Sequence, residues 1–379
     1  MRFEFATATR IIFGEGTFAG LSELAHSFGT RPLVVTGASS DRATPLLSAL
    51  SAQSFAVAGE PTVELVRKGA RYVLDAGCDV VISLGGGSAI DAGKAIASIA
   101  TNGGEPLEFL EMVGKGRAIT VPSLPFLAVP TTAGTGSEVT RNAVLGSPEY
   151  GVKASLRSPL MLPRVALVDP ELTYGLPSAV TASTGLDALT QLIEPYVSAR
   201  ANPLVDGICL EGIRRIADSL RRAYHDGADV DARRDMALAS LFGGLALANA
   251  GLGVVHGFAA PLGGMWKAPH GVLCAAILPF GMAANVTALR ERAPRHVALG
   301  RYAAVARLLT GRNEARAEDG IAWLRELCVE FNIPALRALG ISESDLPDIV
   351  EKAARASSMQ ANPLPLTTEE LLGVITAAL

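Results

Sequence analysis

The chain has 379 residues, of which 49% are hydrophobic and 18% charged, and its formal net charge is −4. This composition excludes a largely disordered protein, and the length predicts two or three domains. The mild negative charge, without long runs of one sign, also argues against nucleic acid or an anionic membrane surface as a partner.

Three features of the sequence bear on its location. The amino-terminal residues lack the basic start and apolar core of a signal peptide, which predicts a cytoplasmic protein. The most apolar stretch, residues 271–286, contains Pro279 and is shorter than the ~20 residues that cross a bilayer, so we interpret it as a buried helix. The cysteines are too widely spaced for a metal knuckle and are predicted to be reduced core thiols: Cys78, Cys209, Cys274 and Cys328.

The first half of the chain predicts a parallel β-sheet. Apolar patterns at helical spacing cover residues 62–76 and 89–99 and alternate with short strand-like runs. These runs are nearly continuous, as in strands buried on both faces: RPLVVTG from residue 31, FAVAG from 55, DVVISLGGG from 79, FLAVPTT from 126 and VALVD from 165. The alternation predicts a doubly wound α/β domain.

The second half of the chain predicts helices alone. Long helical patterns cover residues 203–222, 232–250 and 318–330, and runs of β-branched residues stop after Pro177. Proline and glycine near residues 169–177 mark a joint, after which Ser178 is a candidate N-cap. We therefore predict an α/β domain over residues 1–177 and a helical domain over 178–379.

A glycine-rich turn follows the strand DVVISL. Gly85, Gly86, Gly87 and Ser88 precede a helix, whose free N–H groups attract phosphate while the glycines allow close approach of a ligand. A dinucleotide pyrophosphate fits this description. The segment is not a P-loop, because Ala95 stands where a hydroxyl would hold magnesium, and an NTPase is disfavoured. A tight turn required only by packing remains the alternative.

A second loop, PTTAGTGSEVT over residues 130–140, follows another predicted buried strand. Before Glu138, four of its side chains carry hydroxyl groups, and two glycines lie among them. Such a density of small donors at the carboxyl end of a parallel strand is typical of a ligand crevice. A capped turn without a ligand is the alternative interpretation.

The helical half contains residues that could hold a metal. Asp187 and Gln191 are four residues apart and share one helix face, and His256 and His270 follow in apolar sequence broken by glycine and proline. Imidazole and oxygen donors suit a divalent first-row metal. Both histidines could instead be core residues, whereas the polar surroundings of the other three histidines predict solvated side chains.

Four segments in this order resemble signatures of the iron-containing (group III) alcohol dehydrogenases: GGGSAIDAGKAIA, PTTAGTGSEVT, GLDALTQLIEPYVS and HGFAAPLGGMWKAPHG. The resemblance covers nearly the whole chain. It implies a Rossmann-like amino-terminal domain and an all-helical carboxyl-terminal domain, the dehydroquinate synthase-like architecture. It also implies a homodimer or larger homo-oligomer.

The resemblance assigns roles to particular residues. The phosphate-binding turn falls on Gly86, Gly87 and Ser88, the hydroxyl-rich cofactor loop on Thr131 and Thr132, and a cofactor-contacting lysine on Lys153. The family's metal-binding and catalytic aspartate and histidines fall on three residues of the helical half: Asp187, His256 and His270.

Two departures from the family pattern concern the metal site. The fourth ligand, usually histidine, is Gln191, whose neutral carboxamide oxygen is a weaker donor for iron or zinc. We therefore expect weak metal binding that Gln191→His strengthens. Ala260 stands where several relatives carry a histidine near the nicotinamide, so the proton must exchange through water or a ribose hydroxyl.

A third departure concerns the cofactor. Relatives that prefer NAD carry an aspartate after the first strand, whereas this chain has Gly37, which removes the repulsion of a 2′-phosphate. Ser39, Ser40 and Arg42 supply donors and a positive charge. The sequence thus favours NADP over NAD, unless Gly37 only eases a turn and Arg42 faces solvent.

The predicted activity is reversible hydride transfer between an alcohol and an aldehyde or ketone, assisted by iron or zinc. Trp266 and Phe258 are expected to form an apolar wall of the substrate pocket. Three alternatives stay open: a metal-independent reductase of the maleylacetate reductase type, a lyase or synthase related to dehydroquinate synthase, and a degenerate nucleotide-binding protein.

Overall fold

The chain folds into two compact units. A computed structural model describes residues 2–111, 113–147, 149–150, 152–266 and 268–379. One unit comprises Phe5–Tyr174, and the other comprises Gly175–Leu379 together with the first few residues. Among the described residues, the first unit holds every β-strand and the second is built from helices. The predicted fold class is confirmed.

The first unit contains a six-stranded, fully parallel sheet in the order β1-β8-β5-β4-β2-β3. The four central strands are completely buried because their side chains are almost all apolar and both faces are covered. The strands of this sheet are β1 Arg10–Phe13, β2 Pro32–Thr36, β3 Gln53–Ala56, β4 Val80–Gly85, β5 Phe126–Pro130 and β8 Val165–Val168.

Two apolar cores cover the two faces of the sheet. One contains residues of α3 and α4, and the other contains residues of α1 and α2. Thr62 caps α3 by accepting a hydrogen bond from Leu65 N. The helices of this unit are α1 Leu21–His26, α2 Thr44–Leu50, α3 Val63–Ala76, α4 Gly87–Asn102 and α5 Pro106–Phe109.

Three strand features depart from the sequence interpretation. The fully buried strand expected at residues 55–59 is instead the edge strand β3, which begins at Gln53 and is largely exposed. Strand β1, which pairs with β8, was missed. An antiparallel hairpin, β6 Asn142–Ser147 and β7 Val152–Arg157, was missed as well, because its residues alternate in burial over a short span.

The second unit packs nine helices in its described part. The predicted N-cap Ser178 is wrong: Pro177 precedes the helix and Ser178 is its first residue, without a side-chain cap. The helices are α6 Ser178–Val197, α7 Pro203–His225, α8 Val230–Ala250, α9 Val254–Met265, α10 His270–Arg292, α11 Val297–Thr310, α12 Ala317–Glu330, α13 Leu346–Arg355 and α14 Thr368–Ala378.

Helix α10 contains the most apolar stretch of the chain. With 23 residues it is longer than the sequence suggested and long enough to cross a membrane, but 72% of its apolar window is buried inside the protein. A core helix passes the same test of length and composition. The interpretation as a buried helix is therefore confirmed.

Candidate active site

The phosphate-binding candidates lie where the strand order reverses. From β2 the chain passes to β3 on one side and then returns to β4 on the other side. Ligands of open α/β sheets bind at the carboxyl ends of strands that flank such a reversal. Gly37 follows β2 and Gly85 ends β4, and a Cβ added to Gly85 would lie 3.3 Å from Gly37 N. The two segments therefore meet at the expected place.

The glycines of the glycine-rich turn are needed for two different reasons, packing and the approach of a ligand. A Cβ on Gly85 would lie 2.7 Å from the Cβ of Ala89, and one on Gly87 would lie 2.6 Å from Thr135 Cγ2, so packing requires both glycines. Gly86 has an ordinary negative φ of −73°, and its added Cβ would meet Thr132 only at 3.4 Å. Packing does not explain Gly86, whereas close approach of a phosphate does.

The hydroxyl-rich loop lies beside this turn. Thr131 N donates to Gly85 O at 3.0 Å, and Thr132 faces Gly86. Ser88, Thr131 and Thr132 are all partly exposed. The structure thus brings together the two segments to which the sequence assigned cofactor binding.

A buried lysine fixes the far end of the loop. Lys94 of α4 is 1% exposed, and its Nζ donates to Ser137 O, Thr140 Oγ1 and Asn142 O at 2.7–2.9 Å. Burial lowers the pKa of Lys94 to about 8, and burial raises the pKa of the neighbouring Glu138 to about 7. Lys94, which superficially resembles a P-loop lysine, is therefore a structural tether.

The residues proposed for a 2′-phosphate have protein partners. Ser39 Oγ donates to Asp41 Oδ2 at 2.9 Å. Arg42 donates to the carbonyl oxygens of Leu172 and Tyr174. Gly37 has open space where a side chain would stand. Ser39 and Arg42 would have to exchange partners to bind a phosphate.

Lys153 also has a partner. It lies on β7, where its Nζ is 3.0 Å from Glu60 Oε1, and its side chain is 8% exposed. The lysine assigned to the cofactor is thus buried and neutralised by a carboxylate of the same unit.

Three helices of the second unit bring the metal candidates together. Asp187 of α6, His256 of α9 and the first residue of α10, His270, converge with Cys274. Asp187 Oδ1 lies 3.5 Å from His256 Nε2 and 3.7 Å from His270 Nε2. Asp187 and His256 are 1% and 5% exposed. One donor atom of each of the four residues lies within 4.8 Å of the others.

Glu194 orients His256. Its Oε2 lies 2.7 Å from His256 Nδ1, and its Oε1 accepts from Val255 N at 2.6 Å at the start of α9. Gly253 makes this contact possible, because a Cβ there would come within 3.0 Å of Glu194 Oε1. With one proton held at Nδ1, Nε2, which lies 3.5 Å from Asp187 Oδ1, is the nitrogen that can take either a second proton or a metal ion.

The electrostatics of the cluster keep Asp187 ionised. Burial alone would raise its pKa, but interactions with His270 and His256 outweigh burial and lower the pKa. Burial lowers the pKa of His256, but Cys274, Glu194 and Asp187 outweigh burial and raise the pKa well above its ordinary value. The cluster therefore attracts positive charge, either a proton or a cation.

The donor atoms fit a metal ion. Asp187 Oδ1 and His256 Nε2 are buried and find no hydrogen-bond partner among the described residues. A buried polar atom without a partner is costly, and coordination would satisfy both atoms. Carboxylate and imidazole are ordinary ligands of zinc and iron.

The other candidates of the helical half occupy different surroundings. Gln191 is buried, and its Oε1 faces Gly243 of α8 and likewise lacks a hydrogen-bond partner in the described part of the chain. Ala260 is partly buried on α9, one turn after His256. Phe258 is fully buried, so it does not form a pocket wall as expected, whereas Trp266 is partly exposed. Phe258 has no accessible surface and is therefore a core residue.

Sequence reasoning missed Glu194 and Cys274. Glu194 lies seven residues after Asp187, two turns along the same helix face, and Cys274 lies one turn after His270. That spacing was the available signal. It is common in buried helices, so it does not identify a site until the partner helices are placed.

Comparison with known proteins defines the class. Residues 8–170 match the family "Iron-containing alcohol dehydrogenase", and residues 181–379 match "Fe-containing alcohol dehydrogenase family, C-terminal". Alcohol dehydrogenase 4 of Saccharomyces cerevisiae is 39% identical over 84% of this chain and 80% of its own length. The 1,3-propanediol dehydrogenase of Klebsiella pneumoniae is 39% identical over 79% of this chain and 76% of its own.

Solved structures similar to this chain are also alcohol oxidoreductases. A 1,3-propanediol oxidoreductase superposes with a TM-score of 0.90 at 34% identity, covering all of both chains. An alcohol dehydrogenase from Oenococcus oeni gives a TM-score of 0.90 at 32% identity, also over the full length of both. The chain belongs to the iron-containing alcohol dehydrogenase family. It is a nicotinamide-dependent oxidoreductase that acts on CH–OH groups.

Proposed function

We propose that the helical unit holds a divalent metal on Asp187, His256 and His270, and that the glycine-rich turn of the α/β unit binds the cofactor pyrophosphate. This proposal rests on Asp187 Oδ1 and His256 Nε2, which are buried and have no hydrogen-bond partner in the described part of the chain. Gln191 remains a candidate for a further oxygen ligand. When bound, the metal supplies Lewis-acid polarisation of the substrate oxygen and the nicotinamide supplies or accepts the hydride.

The protein's own groups position these components. Glu194 holds the proton of His256 at Nδ1, so that Nε2 stays available as a donor. Asp187, which is 1% exposed, supplies a buried negative charge, whereas the His270 side chain is 33% exposed. Because Ala260 offers no proton-transferring group, water or a ribose hydroxyl exchanges the proton with the substrate oxygen.

For the cofactor, Gly86, Gly87 and Ser88 present the helix start to the pyrophosphate, and Thr131 and Thr132 supply hydroxyl donors. We propose NADP rather than NAD, because Gly37 leaves open the space that an aspartate would occupy. To bind the 2′-phosphate, Ser39 exchanges its hydrogen bond to Asp41. Arg42 likewise exchanges its hydrogen bonds to the carbonyl oxygens of Leu172 and Tyr174. Lys153, paired with Glu60, contacts the cofactor only after a similar exchange.

The substrate is proposed to be a small primary or secondary alcohol or the corresponding carbonyl compound. Relatives named for 1,3-propanediol, 4-hydroxybutyrate and methanol support this class. The family likeness also supports a homodimer or larger homo-oligomer in the cytoplasm. Light scattering of the purified protein tests the assembly.

The test is reduction of a small aldehyde panel by NADPH and NADH, with protein that has been chelated and then supplied with zinc or iron. We expect activity to depend on the added metal. Because His256 supplies a donor, His256→Ala should lower activity by at least about a hundredfold, in line with the several kcal/mol that a Lewis acid contributes. His225→Ala is the matched control, since His225 is an exposed histidine of the same unit.

Three results would favour other functions. Full activity after chelation, unaffected by His256→Ala, would support the metal-independent reductase. Cofactor binding without turnover of any aldehyde would support a degenerate nucleotide-binding protein. Cofactor binding coupled to a lyase or synthase reaction would support the dehydroquinate synthase type.

A further inference from the structure

Cys274 lies inside the metal cluster rather than in an ordinary apolar core. It is fully buried on α10, one turn after His270, and its Sγ lies 3.6 Å from His270 Nε2. Its Sγ is also within 4.8 Å of the donor atoms of Asp187 and His256. A buried cysteine usually behaves as a small apolar side chain. Here a carboxylate and two imidazoles surround it.

Another cysteine of the same unit shows the contrast. Cys328 of α12 donates to the carbonyl oxygen of Ala275 at 3.5 Å, which satisfies its thiol as a structural hydrogen bond. Cys274 instead faces Asp187 and His256, whose buried Oδ1 and Nε2 lack partners among the described residues. Two unpartnered donor atoms and a thiol directed to one point are what a metal ion requires.

Gln191 is the competing fourth donor. Its Oε1 faces Gly243 on α8, where an added Cβ would lie 3.2 Å away. A neutral carboxamide oxygen also binds zinc or iron less strongly than a thiolate does, because thiolate is a charged and softer ligand. Gln191 Oε1 also lacks a hydrogen-bond partner among the described residues, so donor chemistry decides between the two, and it favours Cys274, whose Sγ lies within 4.8 Å of the other donor atoms.

We propose that Cys274 is the fourth protein ligand and that this Asp/His/His/Cys set selects zinc over iron. The inference rests on the proposed metal site of Asp187, His256 and His270, which it completes. The thiol releases its proton on binding, and the resulting thiolate compensates for glutamine at position 191. The metal is then held firmly, not weakly as the sequence alone suggested.

The first experiment detects the proposed sulfur ligand of the metal directly by spectroscopy. The full-length protein, loaded with cobalt(II), should show the near-ultraviolet charge-transfer absorption of a cobalt–thiolate bond. X-ray absorption at the zinc edge of the unmodified protein should show one sulfur scatterer at about 2.3 Å. The X-ray measurement needs no variant, so it decides the question even where a variant fails to fold. A shell of nitrogen and oxygen alone would overturn the inference.

Variants assign the sulfur to its residue. Cys274→Ser should remove the cobalt–thiolate band and weaken zinc binding, measured by chelator competition, by at least about tenfold. Cys328→Ser is the matched control and should keep both. Gln191→His should change zinc affinity by less than about threefold, because the fourth position is already filled.

The outcomes separate the two proposals. If Cys274→Ser leaves zinc affinity unchanged while His256→Ala abolishes it, the inference is wrong and the proposed metal site stands. A tenfold gain with Gln191→His, without any band from Cys274, has the same meaning. If the unmodified protein binds neither zinc nor cobalt, both proposals fail.

Discussion

Glu194→Gln should weaken metal binding without touching a ligand. Glu194 accepts hydrogen bonds from Val255 N at 2.6 Å and His256 Nδ1 at 2.7 Å, and it is 5% exposed. A carboxamide has one acceptor oxygen, so its NH₂ group must face one of these two donors. If it faces His256, the imidazole has to move its proton to Nε2, which removes the lone pair directed at Asp187.

The magnitude follows from the lost bond. Removing a charge-assisted hydrogen bond and leaving a buried donor unpaired costs about 1.5–3 kcal/mol of stability. Loss of such a partner lowers metal affinity about 10–100-fold, equivalent to about 1.4–2.7 kcal/mol of binding free energy. Chelator competition measures the affinity, and urea denaturation of the metal-free protein measures the stability.

The control is Asp206→Asn, which weakens a partly buried ion pair with Arg301 elsewhere in the helical unit. It should reduce stability but leave metal affinity unchanged. If Glu194→Gln binds zinc within twofold of the unmodified protein, Glu194 does not set the proton position of His256. Equal loss of affinity in both variants would show a general effect of destabilisation.

Three further predictions concern the α/β unit. Gly37→Asp should shift the NADP/NAD ratio of kcat/KM toward NAD by at least about tenfold, or about 1.4 kcal/mol, because the aspartate carboxylate repels the 2′-phosphate. A strong preference of the unmodified enzyme for NAD would refute this prediction. Gly86→Val should abolish cofactor binding measured by calorimetry, while the melting temperature changes little because the added Cβ meets only Thr132. Unchanged affinity for the cofactor would contradict the proposed phosphate site. Burial raises the pKa of Glu138 from 4.5 to about 7, so its contribution to stability is present below pH 4.5 and lost as pH rises through about 7. Glu138→Gln should therefore reduce the fall in unfolding free energy between about pH 4.5 and pH 8 by about 3 kcal/mol, and an unchanged fall would exclude Glu138 as its source.

The sequence by itself determined the class of fold and indicated the two segments that we propose bind the cofactor. Burial on both faces requires apolar residues along the whole of β4 and β5, and such runs are visible without knowledge of the partner strands. Gly86 is equally local, because a strand that leads through glycine into a helix start creates a phosphate site within a few residues. The hairpin β6–β7 was not predicted, because its short, alternating hydrophobic pattern carries little signal.

Only the tertiary structure decided which residues make up the candidate metal cluster. Asp187, His256 and His270 were candidates from residue type and spacing, and the resemblance assigned their roles, whereas Cys274 and Glu194 follow from which faces of α6, α9 and α10 meet. Helical periodicity shows that a residue is buried but not what it is buried against. A cysteine in apolar sequence is therefore indistinguishable from a core thiol until the donor atoms of other helices are seen beside it.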